Sequence, residues 1–195
     1  MAAPDLHRLF FKGLVARLPY RVRQFLTANL APVAPAEIEA ALAQARLPDP
    51  AARLFRAMPR PYQRHALNVA ARLRREGHTD PILLSAALLH DMGKWDPVSR
   101  RKVPVVHRSI VALITWCAPG RQLLHRLVAG PPPVRSWRYP WHLQQHHPEL
   151  SARLAAAAGV DPDVVALVRY HQDGAGIPAR LRPTLTLLQQ ADDQE

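Results

Sequence analysis

Six residues of this 195-residue chain combine a donor type and a position suited to holding a divalent cation: His65, His90, Asp91, His147, His171 and Asp192. The sharpest signal is ILLSAALLHDMGKW, in which an apolar run delivers His90 and Asp91 side by side and is followed by Gly93 and Lys94. Isolated charge at a buried helix end is costly, and a divalent cation is an effective partner for it. His147 lies in QQHHPEL, and His171 follows Val164, Val165, Leu167 and Val168, which give the preceding helix a buried face. This predicts His147 at the start of one helix and His171 at the end of the next, so that the two termini can converge. Leu181, Leu185 and Leu188 form a stripe whose next position is Asp192, while Asp193 points about 100° away. His65 shares a helix face with Val69 and Arg72; taken alone, it reads as a hydrogen-bonded core histidine. No thiolate accompanies the set, and nitrogen with carboxylate oxygen suits Mn, Fe, Co, Ni, Mg or Zn.

The elements that must position these residues all read as helices. There is no sustained alternation of apolar and polar residues and no Asn-Gly or Asp-Gly hairpin signal, whereas apolar residues at helical spacing recur throughout. Two basic amphipathic stripes, Leu6 to Leu18 and Val22 to Leu30, end at Pro19 and Pro32. Further helices are predicted at 36–46, 49–58, 61–76, 82–90, 104–117, 121–128, 147–158, 162–170 and 179–191. Thr79 is the expected N-cap of the 82–90 helix and Gly93 its expected stop. Residues 130–140, GPPPVRSWRYP, read as an irregular loop. The expectation is an all-α fold with an N-terminal helical extension over 1–58, packed on the core or exposed as a basic surface, and a main domain over 59–195.

Composition bounds the function. With 48% hydrophobic and 21% charged residues the chain suits one globular domain. Its longest apolar runs fall short of the ~20 residues that cross a bilayer, and basic residues interrupt every apolar run near the N-terminus, so the sequence reads as cytoplasmic. Cys117, the single cysteine, sits among apolar neighbours as a buried, inert thiol. The formal charge is +11, and no acidic residue lies between Asp96 and Glu149. Arg100, Arg101, Lys102 and Arg108 in that stretch are candidates for holding a phosphate-bearing substrate, with Trp137, Tyr139 and Trp141 as base-stacking surfaces. There is no Walker-type loop, no G-x-S-x-G elbow and no nucleophilic cysteine context, which leaves metal-activated water as the nucleophile.

At these residues the chain resembles the HD superfamily of metal-dependent phosphohydrolases, over roughly 62–193, with LLSAALLHDMGK as the most specific part. The resemblance implies an HD-domain helical bundle in which His65, His90, Asp91 and Asp192 hold one metal. In the family's two-metal members a histidine of an H-P motif and one opening an H-H-E-like motif bind a second metal with the bridging Asp; His147 and His171 match those places, and His146, His142 and His107 are neighbouring alternatives. Asp91 is then the bridging catalytic carboxylate. Lys94 either steadies a phosphate oxygen, pairs with a site carboxylate or simply complements a helix C-terminus. HQDGAGIP departs from the longer motif of the cyclic-di-GMP phosphodiesterase branch, with Gln172, Asp173 and Ile177 where that branch has His, Glu and Tyr. The implied activity is hydrolysis of phosphomonoesters or phosphodiesters, with nucleotides as the expected class. The rival expectations are a catalytically weak HD-fold module that binds nucleic acid or another polyanion, and a peripheral membrane protein attached through Leu6 to Phe25.

Overall fold

The computed structural model describes residues 32–104 and 130–195. The expectations for the two N-terminal stripes, for most of the 104–117 helix and all of the 121–128 helix, and for His107, Arg108 and Cys117 lie outside the described residues. Within them the fold is all-α, as the periodicity predicts. Seven α-helices follow in order: α1 (Pro35–Ala45), α2 (Asp49–Ala57), α3 (Arg60–Arg75), α4 (Pro81–Leu89), α5 (Tyr139–Ala157), α6 (Pro162–Tyr170) and α7 (Arg182–Asp193). Two 3-10 turns, Met92–Lys94 and Ala179–Leu181, precede α5 and α7 respectively. The one extended pairing among the described residues is an isolated bridge between Trp95 and Lys102.

The bundle is organised around α4. Leu83 through Leu89 are all buried, and a helix that is apolar on every side belongs in the middle of a core. α1, α3, α6 and α7 pack against it, and α5 lies across the 3-10 turn that follows it and against α6. Leu42, Ala45, Ala51, Ala52 and Phe55 from the first two helices, with Met58 just after them, join the same core as Leu73, Leu88, Leu167 and Leu188. Polar side chains tie these early helices down: Ser85 Oγ donates to Ala45 O (2.7 Å), Arg64 pairs with Glu37 (2.6 Å), and Gln63 Nε2 donates to Phe55 O (3.0 Å).

Three local expectations are corrected. The N-cap of α4 is Asp80 rather than Thr79: its carboxylate accepts from Ile82 N, and Pro81 occupies the first turn where no N–H is required. Gly93 does not stop α4, which ends at Leu89; it lies inside the following 3-10 turn. His147 does not begin a helix, and residues 139–140 are not loop: α5 starts at Tyr139 and runs through Pro148. Proline is disfavoured inside a helix, but Leu143, His147, Ser151, Ala152 and Ala155 form one buried face across it, and tertiary packing of that face outweighs the local preference.

Candidate metal centre

The centre forms where five helices bring their ends or faces together. His90 caps the C-terminus of α4 and its Nδ1 donates to Ala87 O at 2.9 Å. His171 caps α6 in the same way, with Nδ1 donating to Val168 O at 2.7 Å. His147 projects from the middle of α5 and its Nδ1 donates to Gln144 O at 2.8 Å. A carbonyl only accepts, so in all three rings the proton sits on Nδ1 and the Nε2 lone pair faces the centre, the arrangement typical of metal-ligating histidines. His65 enters from α3 and Asp192 from the last turn of α7.

Asp91 stands between two groups of donors. His65, His90 and Asp192 form one and Asp91, His147 and His171 the other, with donor atoms within each group all within 4.8 Å of one another. Asp91 Oδ1 is 3.4 Å from His147 Nε2 and 3.6 Å from His90 Nε2, while its Oδ2 is 3.7 Å from His65 Nε2. Asp192 Oδ1 lies 2.8 Å from His65 Nε2 and 3.4 Å from His90 Nε2. Lys94 Nζ is 2.7 Å from both oxygens of Asp91. Most of this is dry: His90 and His147 are 0% exposed and Asp91 1%, and solvent reaches the cluster mainly at Asp192, whose side chain is 30% exposed.

The donors fit a cation on two counts. His147 Nε2 and His171 Nε2 face each other at 3.2 Å, and with both protons on Nδ1 this sets two lone pairs together, which only a positive charge between or beside them relieves. His90 Nε2 is buried without a hydrogen-bond partner, a costly condition for a polar atom. The electrostatics agree. Burial alone disfavours the charged form of His90, yet Asp91 and Asp192 outweigh it and raise its pKa. Burial, the Lys94 ammonium and His171 hold His147 well below its ordinary value, and burial with the charge of His90 brings His171 down to about 4. Asp91 is held well below the usual carboxylate range because Lys94 and the surrounding imidazoles overcome its burial, and Asp192 is lowered likewise by His90 and His65.

Several positioning residues escape a reading of the sequence. Ser151 Oγ accepts from Gly93 N (2.7 Å) and donates to His90 O (2.8 Å), stitching α5 to the His90–Lys94 segment. Gly93 is required there, since a Cβ would lie 2.4 Å from His147 O and 2.7 Å from Ser151 N. Gln189 Nε2 donates to His171 O at 2.9 Å, and Arg72 reaches Gln194 and Glu195 just beyond Asp192. Ser151 is one helical turn beyond His147 and Gln189 one turn before Asp192, which is the only local clue to either.

The remaining candidates separate from this cluster. His146 lies against His142, with ring centroids 4.5 Å apart and the planes tilted by 41°, and both are partly exposed, so His147 is the residue that α5 turns into the centre. Arg100 and Lys102 are exposed, and Arg101 is partly buried with Nη2 donating to Ser136 O at 3.4 Å. Trp137 is 66% exposed, Trp141 is partly buried, and Tyr139 OH donates to Asp96 at 2.7 Å. Partial burial, together with that bond, raises the Tyr139 phenol to about 12. No helix among the described residues is long and apolar enough to cross a membrane. Compared with known families, curated proteins and solved structures, the chain has no match in any of the three.

Proposed function

We propose that the chain is a metal-dependent phosphohydrolase of HD type, acting on nucleotides or related phosphate esters. The observation that carries the reading is the pair of donor groups, His65/His90/Asp192 and Asp91/His147/His171, placed side by side and largely buried, with Asp91 between them. A pair of divalent cations bound there would polarise a phosphoryl oxygen and lower the pKa of an attacking water. The protein's own contribution is to fix the donors. The three Nδ1–H bonds to backbone carbonyls hold the imidazoles in the ligand tautomer, and the depressed pKa of His147 and His171 keeps them unprotonated at neutral pH. Asp91 serves both groups. Lys94 balances its charge and presents an ammonium to a non-bridging phosphate oxygen. Arg100 and Lys102, exposed just beyond the 3-10 turn, attract a polyanionic substrate toward the centre.

The test is total-metal analysis of the purified protein beside His65→Ala and Asp91→Ala, followed by phosphate release from a nucleotide panel with Mn²⁺ added. The proposal requires one to two metals per chain in the wild type, fewer in both variants, and turnover that is lost with the metal. A wild type with no metal and no turnover would overturn it and leave polyanion binding by the basic surface as the better account, which salt-sensitive binding of an oligonucleotide in the presence of chelator would establish.

A further inference from the structure

The three imidazoles that turn Nε2 toward the centre solve one problem in two ways. Each needs a backbone carbonyl for its Nδ1–H, three residues earlier in its own helix. His90 and His171 sit at helix C-caps, and Ala87 and Val168 belong to last turns, whose carbonyls have no helical N–H of their own. His147 has no such supply. It lies in the middle of α5, where the carbonyl of Gln144 is the ordinary acceptor for the N–H of residue 148. Residue 148 is proline, which has no N–H. The acceptor that a helix end provides to the other two histidines is here created inside the helix by a missing donor.

We propose that Pro148 is a positioning residue for His147: by leaving the Gln144 carbonyl vacant it fixes the imidazole with its proton on Nδ1 and its Nε2 lone pair toward Asp91 and His171. The proposal deepens the metal-centre reading and rests on it for its consequence, metal affinity. It also accounts for a residue that is otherwise a fault in α5, since proline is the worst residue for a helix interior. With an N–H at 148, the helix takes the carbonyl back, the His147 ring loses its fixed acceptor, and the second tautomer and other ring orientations become accessible.

Pro148→Ala separates this role from a general structural one because the two move stability and metal binding in different directions. In the full-length, metal-free variant the thermal midpoint is expected to hold or rise, as alanine favours the helix, while the ¹⁵N shifts of the His147 ring change from a single Nδ1–H form to a mixture. On titration with Mn²⁺, one equivalent is expected to bind about tenfold more weakly, the usual scale for loss of a group that orients a ligand, with the other unchanged. An unaltered His147 tautomer with unaltered Mn²⁺ binding would overturn the proposal. A lowered thermal midpoint with both equivalents weakened alike would overturn it too, as that is the pattern of a helix merely damaged. Wild-type protein that takes up no Mn²⁺ would instead count against the metal-centre reading, while the ring shifts of the metal-free variant would still decide the role of Pro148.

Discussion

Lys94 and Asp91 form a buried ion pair in which Nζ lies 2.7 Å from each carboxylate oxygen, and the carboxylate belongs to one donor group while facing the other, 3.6 Å from His90 Nε2 and 3.7 Å from His65 Nε2. Removing one partner of such a pair leaves a charge in a dry site, at a cost of roughly 3–5 kcal/mol. Lys94→Met is therefore expected to lower the stability of the metal-free protein by about that amount. A bound divalent cation would supply the missing positive charge, so the deficit should shrink when Mn²⁺ is added. Denaturant unfolding with chelator and with Mn²⁺ checks both halves of the expectation.

Gly93 and Ser151 hold the His90–Lys94 segment against α5, and their substitution tests how tightly the centre depends on that contact. A Cβ at 93 meets the backbone of His147 and Ser151, which cannot rotate aside, so Gly93→Ala is expected to cost at least about 1–3 kcal/mol through overpacking. Ser151→Ala leaves the Gly93 N–H and the His90 carbonyl without their shared hydroxyl, at about 1–3 kcal/mol. Because both changes act on one contact, the double variant should lose less than the sum of the singles, which a double-mutant cycle by chemical denaturation measures.

These contacts also mark the boundary of what local pattern conveys. The apolar run into His90 and Asp91, and the leucine stripe that leads to Asp192, are periodic features of single helices, so their positions follow from the sequence. The sequence places His147 at a helix start because Pro148 is a stronger local stop than any cue to the buried face that carries α5 through it. Gly93 reads locally as a helix terminator, whereas its lack of a side chain serves a contact with Ser151, 58 residues away. Helical spacing puts Arg72 on the same face as His65, yet its partners Gln194 and Glu195 are more than 120 residues distant. Nothing in a local pattern specifies such pairings; they arise when α3, α4, α5 and α7 close on one core.

Acidification should weaken the metal-free protein before its carboxylates are protonated. His171 has its pKa lowered from 6.5 to about 4, and His147 is lowered as well, so between those pH values the unfolded chain binds protons that the folded one refuses. Stability then falls as pH drops from about 6.5 to about 4, by about 3 kcal/mol for His171 alone. His90, raised above 6.5, acts in the opposite sense: its contribution is complete below that pH and fades as pH climbs through its folded value. Thermal midpoints across pH 4–8 with chelator present should thus show a loss on the acid side, and His171→Asn should flatten it.

Arg72 guards the geometry of Asp192. Asp192 occupies the last turn of α7, where helices fray and side chains lose their aim. Arg72 reaches across from α3, its Nε donating to Glu195 Oε1 and its Nη1 to Gln194 Oε1, both at 2.8 Å. Its two donors thus hold both residues that follow the helix-ending pair Asp192 and Asp193. Arg72→Ala should weaken Mn²⁺ at the His65/His90/Asp192 group about tenfold, as loss of a supporting contact does, and speed amide exchange over residues 191–193. Arg72→Lys should fall between, because a single ammonium does not reproduce the fixed fork of a guanidinium. If Arg72 acts through Asp192, the substitution should have no further effect on Mn²⁺ affinity in an Asp192→Ala background; an equal additional loss there would show that Arg72 supports the fold at large rather than this carboxylate.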